Sequence, residues 1–125
     1  MANVLVVDDS VVDRLLAGRL LQQDPHFAVS FAENGRDALD QCRTSMPDAV
    51  LLDWNMPVMD GIAFLVALRK EHGGSNPKVI FCTTENDVEH ITRAISAGAD
   101  EYIMKPFDRD IIEAKFHEVG LIQKS

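Results

Sequence analysis

Short, unbroken apolar runs alternate along the chain with longer segments in which apolar residues recur three or four positions apart. "VLVV" (4–7), "AVLL" (49–52) and "VIFC" (79–82) are continuous, as strands buried on both faces are. "FAVSFA" (27–32) and "YIM" (102–104) are more broken, which suits the edges of a sheet. Between them the spacing predicts helices. Over 11–23 the stripe is Val12, Leu16 and Leu20; over 36–45 it is Ala38, Leu39 and Cys42, with "NG" at 34–35 marking the start. Residues 62–71 carry Phe64, Leu65 and Leu68 before "HGGSNP" stops the helix. Residues 88–97 carry Val88, Ile91 and Ile95, and 109–119 carry Ile112, Phe116 and Val119.

A strand followed by a helix, repeated along the whole chain, predicts an α/β fold: a doubly wound parallel sheet with helices on both faces and right-handed crossovers. Placing the two weak strands at the edges gives the order 2-1-3-4-5, the flavodoxin-like (βα)5 arrangement. Ligands of such sheets bind beyond the carboxyl ends of the strands, next to strand 1. Neither a GxGxxG loop nor a CxxC pair is present, which disfavours a Rossmann half-domain or a thioredoxin-like fold.

Composition narrows this little. With 125 residues, 46% hydrophobic and 26% charged, the chain suits a single globular domain, 1–125. The net charge of −8 argues against non-specific binding to nucleic acid or an anionic membrane; it suits a cation or a basic partner, and a solvated acidic exterior gives the same figure. No signal peptide and no run long enough for a membrane span is seen, so a cytoplasmic location is expected. Cys42 and Cys82, far apart and in apolar surroundings, are expected to be packed thiols.

The strand ends carry the chemistry. Strand 1 ends in Asp8-Asp9, strand 3 in Asp53, strand 4 in Thr83-Thr84 and strand 5 in Lys105-Pro106. The fold brings these ends to one edge. Clustered carboxylates repel and raise one another's pKa unless a cation intervenes. Mg²⁺ is the natural one, since it binds through one or two carboxylates plus phosphate oxygens. With Lys105 and the Thr83 hydroxyl it could neutralise and orient a phosphoryl group, which a carboxylate, here Asp53, could attack to form an acyl phosphate. Each residue has a plainer role: Asp9 or Ser10 as a helix cap, Asp53 as a solvating loop acid, Thr83 or Thr84 as a cap, Lys105 as a surface charge. Their joint placement is what distinguishes the set.

"VLVVDDS" (4–10), "LLDWNMPVMDG" (51–61), "VIFCTTEN" (79–86) and "AGADEYIMKPFD" (97–108) together resemble the receiver domains of two-component response regulators, over nearly the whole chain and closest to the chemotaxis-type, CheY-like branch. That branch is itself a known example of the 2-1-3-4-5 order, so the two expectations are not independent. The resemblance implies that Asp53 is the phosphoacceptor, served by a histidine kinase or a histidine phosphotransfer protein. It implies that Asp8, Asp9, Asp53 and the backbone carbonyl of Asn55 hold Mg²⁺, that Thr83 and Lys105 contact the phosphoryl group, and that the Lys105–Pro106 bond is cis. Tyr102 takes the place of the family's switch aromatic, with an amphipathic ring at a sheet edge as the plainer alternative. The implied output surface is helix 4, strand 5 and helix 5, roughly 87–119.

Asn55 and Glu85 fall at the family's variable positions, where polar side chains can position a hydrolytic water; a labile acyl phosphate is expected. Trp54, next to Asp53, is expected to report metal binding by its fluorescence. Asp13 departs from the pattern. In the first turn of helix 1 an acid is locally favourable, and simple solvation ranks ahead of a contribution to the cleft's charge or to kinase docking.

The leading expectation is a free-standing receiver, since "HEVGLIQKS" follows helix 5 directly. It would act by protein contact, on a flagellar motor switch or another regulator, or as a phosphoryl shuttle in a relay. An aspartyl-phosphate phosphatase is the alternative class, but it would place an acid where Asn55 stands. A flavin-binding module would need a hydroxyl- and glycine-rich loop in place of "DDSVVD".

Overall fold

Two apolar layers, one on each face of a single sheet, account for the buried side chains. The computed structural model describes residues 2–54, 56–84, 88–105 and 107–120. Its elements are β1 (Ala2–Val7), α1 (Val11–Gln22), β2 (Phe27–Ala32), α2 (Gly35–Thr44), β3 (Ala49–Asp53), α3 (Gly61–Lys70), β4 (Lys78–Thr83), α4 (Val88–Ala97), β5 (Glu101–Met104) and α5 (Arg109–Glu118). The strands form one sheet in the order β2-β1-β3-β4-β5, with every pairing parallel. This is the flavodoxin-like order expected from the apolar runs.

Period-two alternation sorts each strand between the layers. Leu5, Val7, Val50, Leu52, Val79 and Phe81 pack with Leu39 of α2, Phe64 and Leu68 of α3 and Ala94 of α4. Val4, Val6, Leu51, Ile80, Cys82 and Ile103 pack with Ala17 and Leu21 of α1 and Ile112 and Phe116 of α5. Both cysteines are buried free thiols, as expected.

Short polar caps set the helix starts. Ser10, Asn34, Asp60 and Asp108 each accept a bond from the backbone N–H three residues on, satisfying donors that the first turn leaves open. Ser10 rather than Asp9 caps α1, which leaves the exposed Asp9 carboxylate available for other chemistry.

Two predicted stripes face the core only in part: Leu20 and Ile91 are half-buried, and the other members point outward. In α1 the buried residues are Ala17, Gly18 and Leu21, whereas Val12 and Leu16 are 65% and 55% exposed. In α4 the buried residue is Ala94, and Val88 and Ile95 lie largely in solvent. Small residues let these helices sit close to the sheet; Gly18 has the Phe31 ring where a Cβ would be. The longer apolar side chains are displaced outward. None of the helices among the described residues is long and apolar enough to cross a membrane.

Candidate functional site

Strand register brings the acids together. Val7 pairs with Leu52, so Asp8 emerges beside Asp53, and Asp53 in turn pairs with Cys82. Alternation then decides which way each side chain points. Asp8 follows Val6, Asp53 follows Leu51 and Lys105 follows Ile103, all toward the α1/α5 face. There, Asp8, Asp13, Asp53, Thr84, Lys105 and Phe107 line a cleft of about 260 Å³.

Lys105 ties the cleft together. Its Nζ donates to Asp8 Oδ2 at 2.8 Å, Asp53 Oδ1 at 3.2 Å and Asp13 Oδ2 at 3.3 Å. The Lys105, Asp8 and Asp53 side chains are 17%, 8% and 13% exposed, so these are partly desolvated ion pairs. Asp8 is further fixed by the Ser10 N–H on Oδ1 at 2.9 Å, and Arg14 Nη1 donates to its backbone carbonyl. Lys105 N–H bonds the Thr83 carbonyl at 2.8 Å, which holds the start of the β5–α5 loop against β4.

Electrostatics follow from burial. Desolvation, partly offset by Lys105 and reinforced by the charge of Asp8, pushes Asp53 up to about 6. Burial alone would lower Lys105; the bonds to Asp8 and Asp53 and their charges overcome it and raise the ammonium's pKa. The Cys82 thiol behind the cleft is pushed well up by burial and is inert as a nucleophile.

One oxygen from each of Asp8, Asp9 and Asp53 lies within 4.8 Å of the others. Hard carboxylate donors at that spacing, with Asp9 exposed and not used as a cap, fit Mg²⁺. Asn55, Glu85 and Pro106, on which a carbonyl ligand, a tuning residue and a cis bond were expected, lie outside the described residues.

Thr83 sits on the other face of the sheet from Lys105. It is 4% exposed and, with Trp54, Phe81, His90 and Tyr102, lines a small cavity beneath α4; Thr84 is the threonine on the cleft side. Thr83 and Tyr102 are thus brought together, and Lys115 stands 5.9 Å from the Tyr102 ring. Trp54 is buried in the same region. It is 7% exposed and packs on Phe81 and His90 at 5.0 and 5.1 Å between centroids, with the Arg93 guanidinium 5.7 Å above its ring.

Asp13 corrects the sequence reading, which ranked solvation first. Its carboxylate is an ion-pair partner of Lys105. The five-residue offset from Asp8 puts it one turn into α1, and only the α1–cleft packing reveals the contact.

The response regulator receiver domain family matches residues 4–117. Among solved structures, the Vibrio cholerae chemotaxis protein CheY4 superimposes with a TM-score of 0.89 at 32% identity, covering 95% of this chain and 98% of that one. Among curated proteins, the protein-glutamate methylesterase/protein-glutamine glutaminases of Nocardioides sp. and Halalkalibacterium halodurans are 45% and 41% identical over 106 and 108 residues. Each match covers 83% of this chain, which spans 29% and 30% of those relatives' lengths. Receiver domains are phosphorylation-activated switches that bind Mg²⁺ at an acidic pocket and are in general phosphoacceptors without an enzymatic activity of their own. A match over residues 4–117, a CheY-like fold and an acid–lysine cleft at the strand ends lead to one conclusion: the chain belongs to the response regulator receiver domain family.

Proposed function

We propose that residues 1–125 act as one receiver domain of a two-component system, in which Asp53 accepts a phosphoryl group from a histidine kinase or phosphotransfer protein. The observation that carries this reading is the bond from Lys105 Nζ to Asp53 Oδ1 in a cleft shared with Asp8. The Asp53 oxygen attacks phosphorus, the P–N bond to the donor imidazole breaks, and its electron pair leaves with that nitrogen, which takes a proton from solvent. Asp8, Asp9 and Asp53 would hold Mg²⁺, with the Asn55 carbonyl expected as a further ligand, and the ion would supply charge neutralisation at the phosphoryl oxygens. Lys105 exchanges a carboxylate contact for a phosphoryl oxygen and keeps the developing charge paired.

Thr83 is the hydroxyl that follows the phosphoryl group, by movement of the loop after β4. Its departure changes the space that Tyr102 shares with it, so one new anion biases two packings of the α4–β5–α5 face. Val88, Ile95 and Ile111, exposed on that face, suit a downstream protein target, whether a motor switch component or another regulator. Val11, Val12, Leu15 and Leu16, exposed on α1 beside the cleft, suit the docking of the phosphodonor. Asn55 and Glu85 tune hydrolysis of the acyl phosphate. The site lies on a soluble-type α/β scaffold in keeping with cytoplasmic signalling.

Incubation with acetyl phosphate and Mg²⁺ tests the reading by intact mass. The native chain gains one phosphoryl group and Asp53→Asn gains none. Equal gain by both removes Asp53 from the role.

A further inference from the structure

An ammonium group has three N–H donors, and in this cleft three carboxylates take them. Asp8, Asp53 and Asp13 accept from Lys105 at 2.8, 3.2 and 3.3 Å. An arriving phosphoryl oxygen must therefore displace one acceptor. Asp8 has the shortest bond and the least exposed side chain, at 8%, and is held by Ser10 N–H as well. Asp53 gives up its full charge when it is phosphorylated. Asp13 keeps its charge throughout, and at 45% exposure it is the outermost of the three acids. Its backbone is fixed by the N-cap, where Asp13 N–H donates to Ser10 Oγ at 3.2 Å.

We infer that Asp13 is a positioning residue, one that shares the Lys105 ammonium with Asp53 and Asp8 and so holds it back from the phosphoryl group, slowing reaction with free anionic phosphodonors. The inference rests on Asp53 being the phosphoacceptor. Two effects act in the same direction. Lys105 must leave Asp13 to reach the transferring group, and a fourth carboxylate beside Asp8, Asp9 and Asp53 repels a dianionic donor. The same charge draws a divalent cation, so Asp13 favours the metal while disfavouring the small donor. A protein donor, bringing its own complementary surface to α1, is less affected by that repulsion. Asp13 thus discriminates a cognate histidine donor from acetyl phosphate and similar metabolites.

The test follows phosphoryl uptake from acetyl phosphate by intact mass at saturating Mg²⁺, with Mg²⁺ titrated separately by Trp54 fluorescence. In the reaction the P–O bond of the mixed anhydride breaks, the Asp53 O–P bond forms and acetate departs. Asp13→Asn is expected to react about 3- to 10-fold faster, mainly through a lower KM for acetyl phosphate, and to bind Mg²⁺ about 2- to 5-fold more weakly. Asp13→Glu, which restores the charge, returns both values toward native. In a Lys105→Met background the gain from Asp13→Asn shrinks below about twofold. An Asn variant no faster than native, or an equal gain with and without the lysine, overturns the inference while leaving Asp53 as acceptor. A native chain that takes up no phosphoryl group defeats the functional reading and this inference with it.

Discussion

Lys105 Nζ stands 3.2 Å from Asp53 Oδ1, although Asp53 ends β3 and Lys105 follows β5, strands separated in the sheet by β4. The contact exists because the last residue of β3 and the first residue after β5 both point toward the α1/α5 face, and because burial raises the carboxyl while its partners keep the ammonium charged. The pair couples protonation to stability and, on the proposed function, to metal binding.

Asp53 ordinarily titrates near 3.8 and here near 6. Between those values the folded chain binds more protons than the unfolded one, so stability falls as pH rises through that window. The penalty is absent below about pH 4 and complete above about pH 6. Asp53→Asn removes it. In metal-free buffer at pH 7.5 the variant is expected to be about 1–3 kcal/mol more stable than native. Urea denaturation at pH 7.5 and pH 4 checks this; the advantage disappears at the lower pH.

On the proposed function, protons and Mg²⁺ compete for the Asp53 carboxylate. With a pKa of about 6 for Asp53, the ionised fraction falls roughly fourfold between pH 7.5 and 5.5. Mg²⁺ affinity read from Trp54 fluorescence is expected to weaken by about that factor over the interval. An affinity independent of pH would show that Asp53 is not a ligand.

Val58 carries φ of 69°, and Met59 N–H bonds the Pro57 carbonyl at 2.7 Å, which closes a tight γ-turn around a β-branched residue. That backbone is costly for valine and free for glycine. The Val58 side chain is 82% exposed and offsets little of the strain. Val58→Gly or Val58→Asn is expected to raise stability by about 1 kcal/mol, seen as a higher urea midpoint at unchanged m.

Gly61 begins α3 where the chain crosses closely behind Asp53. A Cβ there would stand 2.5 Å from the Asp53 carbonyl and 2.7 Å from the Phe81 ring, and Gly61 N–H bonds the Trp54 carbonyl. Gly61→Ala is expected to cost about 1–3 kcal/mol and to shift Trp54 emission as β3 moves. An unaltered melt and spectrum would count against the tight packing.

Much of this was legible before the fold was known. The runs at 4–7, 49–52 and 79–82 needed only period and length to become central strands, and the strand-end positions already named Asp8, Asp53, Thr84 and Lys105, which the structure brings to one cleft. Three things were not legible. Periodicity finds an apolar stripe but not the side it faces, so Val12 and Leu16 of α1 and Val88 and Ile95 of α4 were assigned to a core that Ala17, Gly18, Leu21 and Ala94 fill. A strand-end threonine pair does not say which member shares the lysine's face; alternation gives Thr84 to the cleft and Thr83 to the space beside Tyr102. Asp13 reaches Lys105 across 92 residues of sequence, a contact no local pattern encodes.

Covalent trapping tests the central claim most directly. Native protein treated with acetyl phosphate and Mg²⁺, then reduced with borohydride, should yield a peptide in which position 53 alone has become homoserine, as reduction of an aspartyl phosphate requires. A homoserine at another acid, or none despite phosphoryl uptake, would contradict the assignment of Asp53 as the residue that carries the signal.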